Sequence, residues 1–130
     1  PGGHVEANED PLQAAVREAL EETGLDVELV PTYPPPTVVS LPHVPVPHSI
    51  MIEDIQDPVD GPHKHIDFIY FTIPANADQR PVEGWHWFTR ADLKSANSRM
   101  APNGQQEEPP EDVLNLGLAA LDAVRDRPVG

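Results

Sequence analysis

The polar and apolar positions between residues 10 and 24 alternate with the period of an α-helix. Asp10 followed by Pro11 is typical of a helix N-cap and first turn, and Gly24 of a residue that ends a helix in the left-handed conformation. One side of the predicted helix is apolar, with Leu12, Val16, Ala19 and Leu20. We expect this side to pack against the core.

Strands and further helices are predicted in the rest of the chain. Residues 66–73, Ile-Asp-Phe-Ile-Tyr-Phe-Thr-Ile, are rich in β-branched and aromatic side chains and form the best candidate strand. Weaker strands are predicted at 27–30, 44–55 and 84–89, and a turn at 57–64. A short helix is predicted at 90–95 and an amphipathic helix at 111–125. Two segments without regular structure are expected, an extended proline-rich one at 31–47 and a mobile polar one at 97–110. This order suits an α/β/α sandwich with a mixed β-sheet.

Length and charge narrow the classes of protein. With 130 residues, 1–130 is expected to be a single domain. The chain has 8 Lys and Arg and 22 Asp and Glu, which gives a net charge of −14, so nucleic acid and anionic membranes are poor partners. The absence of cysteine excludes disulfides, zinc-thiolate sites and thiol nucleophiles. No transmembrane run or signal-peptide pattern is present, and a cytoplasmic location is the default expectation.

A cluster of carboxylates occupies the polar side of the first predicted helix. Glu18, Glu21 and Glu22 fall within an arc of about 100°, and like charges at this spacing repel one another. Arg17 can reach Glu21 four residues on, but one cation cannot balance three carboxylates. An all-oxygen cluster of this kind favours Mg2+ or Mn2+. The alternative is an acidic face exposed to solvent in an unrelated domain.

The spacing of these residues favours a metal site over an acidic face exposed to solvent. Gly3 is followed by Glu9 six positions later, and residues 17–25 read Arg-Glu-Ala-Leu-Glu-Glu-Thr-Gly-Leu. The segment resembles the Nudix box at every fixed position, and seven specified residues would match by chance on the order of once in a billion starting positions. Ala19 departs from the family pattern, which more often has a larger aliphatic residue there. This departure affects local packing more than chemistry.

The resemblance implies a metal-dependent pyrophosphohydrolase that acts on a nucleoside diphosphate linked to another moiety. Nucleotide sugars, ADP-ribose, dinucleoside polyphosphates and nucleoside triphosphates all remain open as substrates. By position, Glu21 and Glu22 would bind Mg2+ or Mn2+, Glu18 would be a third ligand or orient the attacking water, and Gly3 would offer a backbone carbonyl. Arg17 would hold the carboxylates through a salt bridge, together with Glu9. The alternative is a catalytically silent Nudix-fold module that binds a nucleotide and regulates.

Many members of the family recruit one more acid from a loop after the box. Position favours Glu83 or Asp78, and we place Glu83 in the catalytic set; Glu53, Asp54 and Asp67 are the alternatives. His65 and Asp67 alternate along one face of the best strand and are expected to point the same way, although a solvated pair is the more common outcome. The candidates to stack on a nucleotide base are Trp85, Trp87 and Tyr70. Large aromatic side chains in strands, however, usually belong to the core.

The family ordinarily places two or three strands before the box. The present chain starts almost on the box, so an N-terminally incomplete domain is expected, with an exposed sheet edge or an incomplete core. Such an edge would favour a homodimer.

Overall fold

The computed structural model describes residues 2–34, 40–95 and 97–127. Within these ranges the chain forms, in order, α1 (Pro11–Thr23), β1 (Val27–Leu29), β2 (Ser49–Asp57), β3 (Gly61–Ile69), β4 (Thr72–Pro74), α2 (Arg90–Lys94), β5 (Arg99–Met100), β6 (Gln106–Glu107) and α3 (Glu111–Asp126). The three predicted helices are confirmed within a residue or two of their expected ends.

Helix α1 is closed at both ends by the residues that the sequence indicates. Asp10 accepts a hydrogen bond from the Gln13 backbone at 2.8 Å, and the Gln13 side chain accepts one from the Asp10 backbone at 2.9 Å, which completes a capping box. Gly24 ends the helix at φ 76° and donates its N–H to the carbonyl of Leu20. Ala19 is buried as expected, whereas Leu20 is 49% exposed and does not belong to the core.

The described strands pair in three antiparallel ladders: β1 with β4, β2 with β3, and β5 with β6. The longest is the β2–β3 hairpin, which runs from the pair Ser49 and Ile69 to the pair Asp57 and Gly61. The predicted turn at 57–64 is therefore too long, because β3 already begins at Gly61. Strand 44–55 is also shifted, since β2 begins only at Ser49.

The prediction of one strand over 66–73 is wrong, because the chain changes partners in the middle of this segment. Up to Ile69 it pairs with β2, and the Ile69 carbonyl accepts the His48 N–H at 2.7 Å. From Phe71 onward it pairs with β1 and its continuation, since the Phe71 carbonyl accepts the Val30 N–H at 2.8 Å. Because the segment pairs with β2 first and with β1 afterwards, it forms two strands with a break between them.

Two further predictions need correction. Residues 84–89 contain no strand: Gly84 has φ 92°, the Trp85 N–H closes a turn on the Val82 carbonyl, and the segment has no neighbouring ladder. The polar segment 97–110 is not simply a loop, because it contains the β5–β6 ladder. The proline-rich prediction falls partly on residues 35–39, outside the described ranges, and residues 31–34 and 40–47 contain no helix or strand, as expected.

The core of the described chain is small: part of it lies at α1, β1 and the start of β4, and Leu93 of α2 packs against α3. Its buried apolar residues are Ala14, Ala19, Leu25, Val30, Phe71 and Leu93. One face of the β2–β3 hairpin is apolar and exposed, with Ile50 and Ile52 opposite Phe68 and Ile66. No helix among the described residues is long and apolar enough to cross a membrane.

Candidate active site

Arg17 is the centre of a hydrogen-bond network on the polar face of α1. Its Nε donates to Glu9 at 2.8 Å and its Nη2 donates to the other oxygen of the same carboxylate at 3.1 Å. Nη1 donates to Glu18 at 2.5 Å and to Glu21 at 3.1 Å, and Nη2 also donates to the His4 carbonyl at 2.9 Å. One guanidinium therefore fixes Glu9, Glu18 and Glu21 and the loop that precedes the helix.

The ionisation of these groups follows from their contacts. Hydrogen bonds from Arg17 and then from the Glu6 backbone lower the pKa of the Glu9 carboxyl below its usual value. Hydrogen bonds to Glu9 and then to Glu18 raise the pKa of the Arg17 guanidinium further above its already high value. Both groups are therefore fully charged at neutral pH.

The loop that contains Gly2 and Gly3, called the glycine loop below, lies directly against the carboxylates. A Cβ placed on Gly3 would lie 2.3 Å from Cδ of Glu18, closer than real Cβ atoms approach. The Gly2 N–H donates to Glu22 at 3.2 Å. An alanine at position 3 would therefore have to displace the carboxylate of Glu18, whose side chain is 15% exposed.

Negative charge exceeds positive charge at this face. Four carboxylates, those of Glu6, Glu9, Glu18 and Glu21, have an oxygen within 4 Å of Arg17. Within the described ranges Glu22 has no ion-pair partner. This excess of oxygen donors over cations fits a divalent metal ion, as the sequence predicts.

A cleft of about 740 Å³ separates the glycine loop and α1 from the β2–β3 hairpin. Gly2 and Gly3 line one side of the cleft and His65 and Asp67 the other. Because the same two glycines also touch Glu18 and Glu22, the loop connects the carboxylate cluster to the cleft. The cleft is large enough for a small-molecule ligand.

The candidate extra acids fall in different places. Glu53 and Asp67 line or border the cleft, and one oxygen of each lies within 4.8 Å of a His65 ring nitrogen. Asp54 lies on the opposite face of the hairpin, where it pairs with Lys64 at 2.5 Å.

Glu83 and Asp78 are exposed and lie outside the residues that line this cleft. Glu83 follows Val82, whose N–H donates to Thr23 at the end of α1. The two acids that position in the sequence favoured are therefore not the ones that the fold brings to the cleft.

Two of the three aromatic candidates line a second cavity. Trp85 and Trp87 line an apolar cavity of about 210 Å³, between the end of α1 and β4. The hydroxyl of Tyr70 donates to the Pro45 carbonyl at 2.8 Å, which accounts for its polar group, and burial is the leading cause of its raised pKa.

Sequence reasoning missed His63 and His4. The His63 and His65 rings meet with their Nε2 atoms 3.2 Å apart, and the His4 ring lies 5.5 Å from that of His65 in an edge-on arrangement. The spacing of His63, His65 and Asp67 along one strand is the signal that could have shown this cluster, since alternate residues share a face.

Comparison with known proteins adds to this geometry. The family model described as NUDIX domain matches residues 1–107. The chain belongs to the NUDIX family. Among solved structures, the crystal structure of a NUDIX-family hydrolase from Clostridium perfringens is similar, with 28% sequence identity and a TM-score of 0.64 over 94% of this chain and 78% of that one. The search of curated proteins gave no match.

Membership of the NUDIX family confirms the resemblance carried by residues 3–25 and the predicted α/β fold class. It makes the chain a relative of hydrolases, and residues 3–25, which carry the resemblance, contain the network around Arg17.

Proposed function

We propose that this NUDIX protein hydrolyses the pyrophosphate linkage of a nucleoside diphosphate joined to another moiety, with Mg2+ or Mn2+ as cofactor. The observation that carries the proposal is the shared contact of Arg17 with Glu18 and Glu21 beside the glycine loop. It supports an assembled carboxylate set rather than scattered surface charges.

The donor set fits a hard divalent cation. Glu21 and Glu22 are proposed as ligands, together with Glu18 and the Gly3 carbonyl. When bound, the metal would neutralise charge on phosphoryl oxygens and lower the pKa of a water molecule. Glu21 is 59% exposed and so is accessible to an ion from solvent, whereas Glu18 is held by Arg17 and by contact with Gly3.

The remaining residues position this set. Arg17 keeps Glu18 and Glu21 oriented while Glu9 neutralises the far side of the guanidinium. Glu18 is the candidate to orient or deprotonate the attacking water, because its side chain is only 15% exposed, whereas that of Glu21 is 59% exposed. Phosphoryl transfer depends mainly on such positioning and on electrostatic stabilisation.

The additional acid is reassigned within the proposal. Glu53 and Asp67 face the cleft that the glycine loop lines, so they replace Glu83 as the first residues to test. Glu83 remains a prediction from sequence position.

The substrate is proposed to be a small nucleotide-type molecule bound in the cleft of about 740 Å³. The test is product release from a panel of nucleotide sugars, ADP-ribose, dinucleoside polyphosphates and nucleoside triphosphates, with Mg2+ or Mn2+ and with a chelator in their place. Turnover that needs the metal supports the proposal. Metal binding without turnover of any panel member would instead support the regulatory module.

A further inference from the structure

We propose that Glu53, His65 and Asp67 form a second divalent-metal site, distinct from the α1 glutamates and selective for a transition-metal ion, in which the two carboxylates named above as candidates for the additional acid serve as metal ligands. One potential ligand atom from each residue lies within 4.8 Å of the other two. All three residues belong to the β2–β3 hairpin, so none of the proposed ligands is a residue of the box.

The register of the hairpin produces this cluster. Glu53 lies directly opposite His65 across the ladder, and Asp67 follows His65 two residues along β3. Residues opposite each other and residues two apart share one face of a sheet. Backbone hydrogen bonds therefore set the spacing of the ligands before any ion binds.

The charges on the two faces of the hairpin differ. On the outer face of the hairpin, the face opposite to Glu53 and His65, Asp54 pairs with Lys64 at 2.5 Å. In the described part of the chain, neither Glu53 nor Asp67 has a Lys, Arg or His nitrogen within 4.0 Å. Two carboxylates without a protein cation lie beside an imidazole, which is the arrangement that a bound cation stabilises.

When both rings are neutral, the contact with His63 assigns one tautomer to His65. Nδ1 of His63 lies 2.8 Å from the Gly61 carbonyl and must donate to it, so in the neutral ring Nε2 of His63 is an acceptor. The Nε2 of His65, 3.2 Å away, then donates the hydrogen in that contact. This assignment leaves Nδ1 of His65 with a free lone pair, and a second hydrogen bond of this kind is typical of metal-binding histidines.

The donor set indicates the class of metal. Imidazole nitrogen suits Zn2+, Cu2+, Fe2+ and Ni2+, whereas Mg2+ and Mn2+ prefer carboxylate and water oxygens. Zinc binds His nitrogen and carboxylate oxygen at about 2.0 to 2.2 Å, so two ligands of one ion can lie up to about 4 Å apart. Small rotations of the three side chains would bring a spread of 4.8 Å into that range. Solvent access through the cleft leaves room for further ligands.

The test separates this site from the box. In a Glu21→Gln, Glu22→Gln background, Zn2+ and Co2+ binding is measured by calorimetry in the presence of excess Mg2+, with the visible spectrum of Co2+ as a second readout. The expected result is one bound transition-metal ion in this background. Adding His65→Asn should lower its affinity by more than about tenfold and remove the spectral band, and His63→Ala should lower it by about tenfold. Because no substrate is used, the result does not depend on the proposed reaction.

The hairpin offers a matched control. Glu53→Gln should weaken Zn2+ binding, whereas Asp54→Asn, one residue along and on the outer face, should leave it unchanged. Circular dichroism of each variant checks that the fold persists. Unchanged Zn2+ affinity in folded His65→Asn, or equal losses in Glu53→Gln and Asp54→Asn, would overturn the proposal.

Discussion

Arg17 holds Glu9 through two parallel hydrogen bonds, from Nε at 2.8 Å and from Nη2 at 3.1 Å. This pairing uses one edge of the guanidinium and leaves Nη1 to hold Glu18 and Glu21. Glu9 therefore fixes the orientation of the arginine that in turn fixes the proposed metal ligands.

Replacing Arg17 by lysine should weaken metal binding at the box. An ammonium group cannot reproduce the paired contact with Glu9 and also reach Glu18 and Glu21. We expect Arg17→Lys to lower Mn2+ affinity by about 10-fold to 100-fold, the usual effect of losing a group that orients metal ligands. Calorimetric titration measures this, and Arg125→Lys on the exposed side of α3 is the control that should change nothing.

A methyl group on Gly3 should displace Glu18. The added Cβ would overlap the Glu18 carboxylate, which cannot move freely because Arg17 holds it. Misplacement of a reacting group by about 1 Å costs on the order of 100-fold in rate, so Gly3→Ala should lower kcat by about that factor. Gly2→Ala, where a Cβ meets nothing within 4 Å, should retain activity. Equal effects of the two substitutions would contradict the contact between Gly3 and Glu18.

The end of α1 should be sensitive to substitution at Gly24. Its φ of 76° is a left-handed conformation, which costs a non-glycine residue about 1 to 2 kcal/mol. A Cβ there would also lie 2.8 Å from a Val82 methyl group. Gly24→Ala should therefore lower the free energy of unfolding more than Gly61→Ala, which has the same φ and open space around it. Urea unfolding of both variants would reveal the difference, and equal losses would exclude a role for Val82.

Asp92 should make stability depend on pH at the acidic end. Hydrogen bonds from the Thr89 backbone and side chain, and from Asn97, hold the pKa of its carboxyl below the usual 3.8. Because the pKa is lower in the folded state, the stabilisation is present above about pH 4 and is lost as the pH falls below that value. Urea midpoints measured between pH 2 and pH 6 should fall less steeply towards low pH in Asp92→Asn than in the unmodified protein.

Much of the box helix could be predicted from sequence because its determinants are local. Asp10 and Gly24 mark its ends, and a period of 3.6 residues puts the glutamates on one face. The partner change at Tyr70 and Phe71 could not be predicted, since residues 66–73 have uniform strand propensity and the break depends on which distant strands they meet.

The same reason explains the extra acid and the aromatic segment. Glu53 reaches the cleft only through the register of β2 against β3, which is a long-range property. Trp85 and Trp87 have the composition of a strand but have no ladder to join, so they line a cavity instead. The bonding of Arg17 to the His4 carbonyl likewise depends on the path of the loop.

The carboxylates around Arg17 are proposed to perform metal-dependent hydrolysis. The most direct measurement is turnover of the nucleotide panel with Mg2+ or Mn2+ by the unmodified protein, by Glu21→Gln and by the exposed-strand control Glu28→Gln. Metal-dependent product release should fall by at least about 100-fold in Glu21→Gln and should be unchanged in Glu28→Gln. Equal turnover in Glu21→Gln, or none in the unmodified protein while it binds the metal, would contradict this proposal.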